Sequence, residues 1–576
     1  MKVSDYIAQY IADQGVRFVF GYQGGNIAHT IDSVSNHPDL QFISTYNEQG
    51  ASFSACGYAL ENETLGVAMA SSGPGAINLI SGIASAFYDS IPCLFITGNV
   101  STPTMKTDDR VRQNAFQEND IVTMVSKVTK YAVTVMDTHD LKYQLEKAVY
   151  LAKEGRPGPV LIDLPHNIQK ADLDFTNEVG FELCEVETDL DIVKVENVVN
   201  IVKNSKRPVI IAGGGAQNDI SKKQINKLLS IWNIPVVVTL RGLDVVNHNL
   251  PNFAGFGGAY GNVSANYALK YADTILVLGA RLDERFLCLS DKSIFEKKNI
   301  IHVDVDPIEL GRVIKNEIKI KCTVQDFLSI LLDINIENMD FSCWIDTISV
   351  WKKRFPSVTD DWTINKAVYE LTKNAHKNAV INLDIGINQM CAAQSMVLNG
   401  NQHCYTSAGH GAMGCSLPTA IGTAYASQQK LCDCYVGDGA LHMNIQELLM
   451  LSRDNLAVHV ILNNNNCLGM IRDFQSKAFN SRFAATIDEF NNIDYEQLAR
   501  AYKLDYCKVS SVSELGTAIE MINKPKACFI ELVFPSEVDT NPKLGIDMFN
   551  QLPAIGEEEK KKMEQEALAC GNITSL

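Results

Sequence analysis

The sequence predicts an α/β protein made of three consecutive doubly wound domains, each built on a parallel sheet. Its 576 residues are enough for about three domains of ordinary size. Short apolar runs rich in Val and Ile alternate with helix-like segments along most of the chain, which is typical of buried parallel strands. Two polar connectors, 172–191 and 337–360, divide this alternation into three blocks.

The predicted strands follow these blocks in order. The first block, 1–175, opens with an amphipathic helix pattern and contains predicted strands at 16–20, 41–43, 65–70, 92–97 and 160–164. The second block, 190–336, contains predicted strands at 209–212, 235–238, 274–278 and 300–305. The third block, 360–536, contains predicted strands at 432–436 and 458–462. Residues 537–576 form a C-terminal tail, in which the charged run 557–562 predicts the solvated face of a helix.

Composition excludes several classes of protein. The chain is 46% apolar and 20% charged with a net charge of −17, which is typical of a globular protein and disfavours nucleic acid as a partner. No signal peptide or bilayer-spanning run is visible, so we expect no membrane partner. Fifteen cysteines are scattered without a CxxC pair, which favours reduced thiols in a cytoplasmic protein over disulfides or a cysteine metal site.

The most informative motif is Gly437-Asp438-Gly439. It follows the predicted strand 432–436, and a helix-like stretch at 444–453 leads to the next strand, 458–462. A right-handed crossover between parallel strands brings the ends of both strands to the same edge of the sheet. The second strand is followed by four asparagines, 463–466, so we expect Asp438 and one asparagine to meet there.

Carboxylate, amide and carbonyl oxygens at such an edge suit Mg²⁺ that holds a diphosphate. The glycines let the backbone approach phosphate oxygens, and a following helix offers free N–H groups. The alternative is that the glycines and asparagines only form turns. The spacing of 27 residues between Asp438 and Asn465 favours the metal site.

These residues carry a resemblance to a known family. The segments 437–448 and 468–475 resemble the diphosphate motif of thiamine diphosphate (ThDP) enzymes, in the acetolactate (acetohydroxyacid) synthase branch, and the resemblance runs from residue 16 to about 535. It implies that 1–175 binds the pyrimidine of ThDP, that 190–336 is a central FAD- or nucleotide-binding-like domain, and that 360–536 binds the diphosphate.

The resemblance also implies the cofactor contacts. The Mg²⁺ ligands are expected to be Asp438, Asn465 and the carbonyl of Cys467, with Asn464 as the alternative to Asn465 because the asparagine run leaves the register open by one. The wider set of expected ThDP-binding residues is Gly24, Gly25, Gly73, Gly75, Gly411, Met413, Gly437, Asp438, Gly439, Ala440, Asn465, Cys467, Gly469 and Met470.

Two residues are implied to act directly on the cofactor. Taken alone, Glu48 is typical of a glutamate near a helix N-terminus. The resemblance implies instead that it hydrogen-bonds the aminopyrimidine ring, where a carboxyl group can hold or share a proton. Met413 resembles the residue that wedges the cofactor into its bent conformation, and the alternative is a core methionine.

The substrate pocket is expected to include further residues. Phe116 and Gln117 resemble a pair near the reacting carbon, and Arg285 resembles an arginine that faces a substrate carboxylate. The alternative for Arg285 is an ion pair with Glu284. Biosynthetic relatives have a tryptophan at the position of Phe474, and we expect the smaller phenylalanine ring to enlarge the pocket. His410 adds a polar group to it, or is a structural histidine.

FAD is a candidate second cofactor. The resemblance implies a site for it made by Arg156, Gly213, Gly214, Gly279, Arg281 and Asp304. The alternative is that the glycines after the strand 209–212 only form a turn.

We therefore expect a ThDP- and Mg²⁺-dependent decarboxylating carboligase with pyruvate as donor and a second carbonyl as acceptor. One alternative is two-carbon transfer to a keto sugar nucleotide, with Arg110 and Arg112 meeting its diphosphate. Another is a non-catalytic relative. The resemblance implies a homodimer or homotetramer with active sites at the subunit interface.

Overall fold

The computed structural model describes residues 1–108, 110–182, 190–289, 292–334, 336–427, 430–487, 490 and 493–570. Within these residues, three six-stranded sheets form, and every strand pair in them is parallel. The predicted fold class is therefore confirmed. The exact domain boundaries stay a prediction.

The first sheet has the order β2-β1-β3-β4-β6-β5. Its strands are β1 Phe18–Gly21, β2 Gln41–Ser44, β3 Gly66–Ala70, β4 Cys93–Asn99, β5 Tyr131–Thr134 and β6 Val160–Pro165. The helices in this part are α1 Val3–Asp13, α2 Ala28–Asn36, α3 Glu48–Asn62, α4 Pro74–Asn78, α5 Ile80–Tyr88, α6 Ile121–Val125, α7 Leu141–Lys153 and α8 His166–Gln169. Strands β3 and β4 are buried along their whole length, which explains their continuous apolar sequence.

The second sheet has the order β10-β9-β7-β11-β12-β13, and β8 pairs separately with β14. The strands are β7 Pro208–Ala212, β8 Trp232–Asn233, β9 Val236–Val238, β10 Phe253–Phe256, β11 Thr274–Leu278, β12 Asn299–Asp304, β13 Ile318–Lys321 and β14 Met339–Asp340. The helices are α9 Ile192–Lys203, α10 Asp219–Ile231, α11 Val263–Tyr271, α12 Ser293–Glu296, α13 Val324–Asp333 and α14 Ser342–Arg354.

The third sheet has the order β16-β15-β17-β18-β20-β19. Its strands are β15 Val380–Leu383, β16 His403–Thr406, β17 Cys432–Gly437, β18 Val458–Asn464, β19 Asp505–Val509 and β20 Cys528–Val533. The helices are α15 Ile364–Asn374, α16 Ile387–Ser395, α17 Ser416–Ser427, α18 Asp438–Leu441, α19 Leu448–Arg453, α20 Gly469–Ala478, α21 Tyr495–Ala501, α22 Leu515–Ile522 and α23 Glu557–Ala569.

Two sequence-based expectations need correction. The helix predicted at 444–453 is broken: α18 already starts at Asp438, a 3-10 turn covers Ile445–Glu447, and α19 follows. The Asn444 side chain donates to the carbonyl of Gly414 instead of continuing the helix. The connector predicted at 337–360 contains α14, because its apolar face, including Trp344 and Trp351, is buried. The C-terminal helix predicted from the charged run is confirmed as α23.

The first and third sheets are joined by close packing of α3 against α17. A Cβ atom added at Gly422 would lie 1.9 Å from the carbonyl oxygen of Ser54, and one added at Gly57 would lie 2.2 Å from that of Thr419. Glycine is therefore required at both positions for the two backbones to approach. Because α3 begins with Glu48, this contact fixes the position of a candidate catalytic residue.

No helix among the described residues is both long and apolar enough to cross a membrane.

We predict that Gly422→Ala destabilises the protein, because its methyl group would overlap the α3 backbone. Overpacking of this kind costs about 1–3 kcal/mol, which thermal melting detects as a lower Tm. The control is Gly516→Ala on α22, where an added Cβ has nothing within 4 Å. Helix propensity makes this control neutral or slightly stabilising. Equal melting of both variants would contradict the packing argument.

Candidate active site

Asp438 lies at the junction of β17 and α18, and its side chain is only 2% exposed. Its Oδ1 accepts a hydrogen bond from the Gly439 N–H at 2.8 Å. Its Oδ2 has no hydrogen-bond partner among the described residues, although it is buried. Burial raises the pKa of Asp438 to about 6, against the opposing effect of backbone N–H groups of residues 439 and 465–467. A buried carboxylate oxygen without a partner is the kind of group that a cation satisfies.

The asparagine run places its side chains in different directions. Asn463 donates to Asn388, and Asn464 donates to Glu531 Oε1 at 2.6 Å. The Asn464 amide oxygen also accepts from the backbone N–H of Asn466 at 3.2 Å. Asn465 is buried after the end of β18 and donates its amide N–H to Cys467 Sγ at 3.2 Å. The Asn464 side chain is thus hydrogen-bonded to Glu531 of β20. Asn465, in contrast, lies in the turn whose backbone N–H groups face Asp438.

The loop that carries Met413 is held by two buried carboxylates. Asp384 accepts from the backbone N–H groups of Gly414 and Ser416 at 3.0 and 2.9 Å. Asp89, which follows α5, accepts from the N–H groups of Ala408 and Gly409 at 3.0 and 2.8 Å. Burial raises the pKa of Asp384, and its hydrogen bonds oppose that shift. Asp89, after α5, therefore fixes the start of the loop, and Asp384, after β15 of the third sheet, fixes its end.

Met413 lies beside the Gly-Asp-Gly turn. A Cβ added at Gly439 would lie 3.5 Å from Met413 Cε and 2.4 Å from Leu468 Cδ2. A Cβ added at Gly437 or Gly411 has nothing within 4 Å, so both glycines border open space. The sequence-predicted residues of the diphosphate side are therefore brought together, with room left in front of them. Ala440 lies within α18, and Gly469 and Met470 begin α20 next to Asn465.

Glu48 is the first residue of α3, where Asn47 caps the helix by accepting from the Gln49 N–H at 2.8 Å. Glu48 Oε2 accepts a hydrogen bond from the Asn78 side chain at 3.0 Å. A Cβ added at Gly75 would lie 3.0 Å from Glu48 Oε1. Glu48 and the Gly73–Gly75 loop, which the sequence analysis considers separately, therefore lie side by side.

Gln117 belongs to the same part of the molecule, because a Cβ added at Gly73 would lie 3.0 Å from Gln117 Cβ. Its backbone is left-handed, with φ 63°, which is uncommon outside glycine and indicates a constrained position. The neighbouring Phe116 is 83% exposed in the single chain, so its ring does not enter a pocket within one chain. Gly24 packs on Ser71 and Gly25 borders open space.

Glu447 is a residue that the sequence analysis missed. It is fully buried, and its two carboxylate oxygens accept from the Tyr46 N–H at 3.2 Å each. A Cβ added at Gly50 would lie 2.5 Å from Glu447 Oε1, so glycine is needed there to admit the carboxylate. Burial raises the pKa of Glu447 to about 7. Tyr46 lies two residues before Glu48, so Glu447 acts as a positioning group for the start of α3.

A cavity of about 630 Å³ lies where the three sheets meet. Five of the FAD residues predicted from the sequence line this cavity: Arg156, Gly214, Gly279, Arg281 and Asp304. The sixth, Gly213, packs beneath the cavity against Gly279. Arg156 makes ion pairs with Asp306 and Glu309 at 3.2 and 3.0 Å, and Arg281 pairs with Asp283 at 2.9 Å. Burial raises the pKa of Asp304 at the end of β12. A cavity of this size accommodates a large organic cofactor.

The predicted substrate residues do not form one cluster. Arg285 lines the same cavity as the predicted FAD residues and donates to Gln389 Oε1 at 3.1 Å. The alternative ion pair with Glu284 is not formed, because Glu284 pairs with Lys292. The ring of Phe474 is exposed and packs edge-on against Phe479. His410 is exposed and stacks on Tyr88 with ring centroids 5.6 Å apart.

Comparisons with known proteins agree with this geometry. The family model for the N-terminal TPP binding domain of thiamine pyrophosphate enzymes matches residues 1–124. The models for the central domain and the C-terminal TPP binding domain of these enzymes match 195–331 and 384–532. Each match falls on one of the three sheets, although the N-terminal match ends before β5 and β6 and the C-terminal match begins after β15. The fold has three parallel sheets, with a buried aspartate and asparagine at the edge of the third. Together with the three family models, this shows that the chain belongs to the thiamine pyrophosphate (thiamine diphosphate) enzyme family.

Within that family, the chain is similar over most of its length to acetolactate synthases. It is 33% identical over 552 residues to the acetolactate synthase large subunit of Lactococcus lactis subsp. lactis (strain IL1403), which is 94% of each chain. It is 32% identical over 545 residues to the acetolactate synthase isozyme 1 large subunit of Escherichia coli (strain K12), covering 94% of this chain and 95% of that one. Acetolactate synthase 1, chloroplastic, of Zea mays is 31% identical over 563 residues, covering 94% and 87%.

We predict that Glu447→Gln gains stability relative to the wild type as pH rises. The folded pKa of Glu447, about 7, lies above the ordinary value of 4.5. The folded state therefore binds the proton more tightly than the unfolded state, and stability is lost as pH rises between these values. The loss amounts to at most about 3 kcal/mol. Glutamine resembles the protonated acid, so the Tm difference between variant and wild type should widen from pH 5 to pH 8.

Glu520→Gln is the matched control, because Glu520 is an exposed residue of α22. Its Tm difference from the wild type should stay flat over the same pH range. A flat difference for Glu447→Gln as well would show that the Glu447 carboxyl group has no raised pKa.

Proposed function

We propose that the protein is a ThDP- and Mg²⁺-dependent carboligase that decarboxylates pyruvate and joins the two-carbon unit to a second carbonyl. With pyruvate as acceptor the product is 2-acetolactate. The observation that carries this proposal is the buried Asp438, whose Oδ2 has no hydrogen-bond partner among the described residues. It lies beside Asn465 in a chain that resembles acetolactate synthases over 94% of its length.

Asp438, Asn465 and the carbonyl of Cys467 are the proposed ligands of Mg²⁺, and the cation in turn holds the diphosphate of ThDP. The donor set fits, because all three groups are hard oxygen ligands at one edge of the sheet. Gly437 and Gly411 border open space, which leaves room for the phosphate oxygens, whereas Gly439 packs closely against Leu468. ThDP, when bound, supplies the electron sink that decarboxylation of a 2-keto acid requires.

Glu48 is proposed to hold and share a proton with the aminopyrimidine ring. The support is its place at the N-terminus of α3 and its hydrogen bond from the Asn78 side-chain amide at 3.0 Å. The Glu447 carboxylate fixes the backbone just before it. Gln117, beside Gly73, is proposed to orient the substrate on the same side.

We propose that two chains form each active site. The support is the set of large apolar side chains that are exposed in one chain near both halves of the site: Tyr46, Ile77, Phe116, Met443 and Phe474. Monomeric proteins seldom expose so many large apolar groups in one region. A second copy would cover them, and it would bring the ring of Phe116 out of solvent.

FAD is the proposed second cofactor, in the cavity at the junction of the three sheets. Arg156, Arg241 and Arg281 line that cavity and suit the negative charges of a diphosphate. Asp304, at the carboxyl end of β12, suits a hydroxyl group of a ribose. The close approach of Gly213 and Gly215 to Gly279 leaves no room for side chains beneath the ligand.

The proposed function predicts that purified protein with ThDP, Mg²⁺ and pyruvate alone forms 2-acetolactate and CO₂. Glu48→Gln should keep ThDP binding but lower the rate by about 100-fold or more, since it removes a proton-transfer group. The control is Glu496→Gln on α21, an exposed glutamate whose substitution should leave the rate unchanged.

In the product analysis, slow CO₂ release with little acetolactate would mean that the enzyme uses another acceptor, and keto sugar nucleotides would be tested next. Failure to bind ThDP at all would favour a non-catalytic relative.

A second prediction separates the two asparagines. Asn465→Ala should weaken Mg²⁺-dependent ThDP binding at least about tenfold, measured by calorimetric titration, because a metal ligand is lost. Asn464→Ala should lower the Tm, because it removes the hydrogen bond to Glu531, and should leave the Mg²⁺ titration nearly unchanged. The opposite pattern would assign the metal to Asn464.

A third prediction concerns flavin. Denaturation of the purified protein should release FAD, detected by its absorbance and fluorescence. Arg156→Ala should lower the bound fraction, whereas Arg500→Ala, which alters an exposed arginine of α21, should not. Colourless protein that takes up no FAD after incubation would refute the second cofactor without affecting the proposal for ThDP.

A further inference from the structure

Two cysteines far apart in sequence meet at the surface of the molecule. Cys343 lies in the first turn of α14, and Cys570 follows the end of α23. Their Sγ atoms are 2.8 Å apart. Cys343 is exposed and Cys570 is half-buried, so small molecules can reach the pair. The buried thiols of Cys56 and Cys93 are 3.9 Å apart by comparison.

The two helices hold this pair in place. Arg354 of α14 makes ion pairs with Glu559 and Glu566 of α23 at 2.6 and 2.7 Å. The Trp351 indole N–H donates to Glu566 at 2.7 Å, and Met563 is buried in the same apolar cluster as Trp351. The sulfur of Cys570 also lies 3.1 Å from Thr347 Oγ1, one turn after Cys343. The approach of the two thiols therefore follows from docking of the whole helix.

We propose that Cys343 and Cys570 form a reversible disulfide by exchange with a small-molecule disulfide of the oxidised glutathione type. The bond would join α23 covalently to α14. None of the residues proposed for ThDP, Mg²⁺ or FAD takes part, so this modification site is independent of the proposed function.

The exchange has two steps. In the first, the thiolate of one of the two cysteines attacks one sulfur of the small disulfide, whose S–S bond breaks and whose other half leaves as a thiolate with the electron pair. In the second, the other cysteine gives its proton to water and its sulfur attacks the protein sulfur of the mixed disulfide, displacing the second small thiolate. Two protein thiols are oxidised by two electrons, and the small disulfide is reduced to two thiols.

The geometry of the pair favours the second step. Burial and the neighbouring Cys570 raise the pKa of Cys343. The thiolate is the attacking form, so each step proceeds through the ionised fraction of a cysteine. The short distance between the sulfurs makes the second step intramolecular.

The bond would affect how the C-terminal segment opens. Residues before α23 run between the second and third sheets, where the Asn266 and Gln394 side chains donate to the carbonyls of Met548 and Pro542. A docked helix opens locally when its contacts with the rest of the fold break together. A covalent link between Cys570 and Cys343 would hold the C-terminal end of α23 on α14, so α23 should open less often.

The test uses the full-length protein incubated with oxidised glutathione or with a reducing agent. Non-reducing peptide mapping by mass spectrometry should show the peptides of Cys343 and Cys570 cross-linked after oxidation, and reduction should reverse this. Limited proteolysis should cleave α23 on the order of tenfold more slowly in the oxidised protein. Cys343→Ser and Cys570→Ser should each lose both effects. The matched control Cys507→Ser, at a half-buried cysteine of β19, should retain them.

A mixed disulfide that persists on Cys343 or Cys570, or a cross-link between chains, would overturn the proposal. So would unchanged proteolysis of α23 despite the cross-link, since the bond would then have no effect on helix docking. Because thiol mapping does not depend on catalysis, failure of this proposal is distinct from failure of the carboligase assignment.

Discussion

The backbone contact between α3 and α17 is the constraint on which the arrangement of the site depends. These helices belong to different sheets, and their approach is close enough that Gly57 and Gly422 admit no side chain. Helix α3 begins with Glu48, and α17 follows directly on the loop that contains Met413. A shift of one helix against the other would therefore move a proposed proton-transfer group and a proposed cofactor-shaping residue together. Preorganisation of this kind is more secure on packed helices than on free loops.

Buried carboxylates then fix the loops that packing alone leaves free. Asp384, Asp89 and Glu447 each accept backbone N–H groups from a segment distant in sequence. Burying a carboxylate is costly unless such hydrogen bonds compensate for lost solvent. Charged hydrogen bonds are directional and strong, so each carboxylate defines the path of its loop. Asp438 differs from these three, because its Oδ2 has no such partner among the described residues and remains available for a ligand.

The sequence pattern predicted most strands of the first and second sheets but only β17 and β18 of the third, and the reason is clear. Buried parallel strands such as β3 and β4 are continuous apolar runs, and Asp438 and Asn465 follow two strands that a crossover must place side by side. The contact of Glu447 with Tyr46 could not be found this way, because it spans 401 residues and depends on how two sheets dock. A glutamate directly before the apolar run 448–451 was the available signal. The break in the helix at Asn444 likewise depends on a carbonyl 30 residues away.

Arg285 shows how the central cavity is connected to the proposed catalytic loop. Its guanidinium donates to the Gln389 side-chain oxygen, and the Gln389 amide donates to Thr406 Oγ1 and to the Ser407 carbonyl. Ser407 in turn donates its hydroxyl to Asp89, which also binds the next two backbone N–H groups. A ligand that contacts Arg285 would therefore act on a continuous set of hydrogen bonds ending at the loop of Met413. Because the cavity and the loop share this network, a ligand bound in the cavity would stabilise the conformation of the loop.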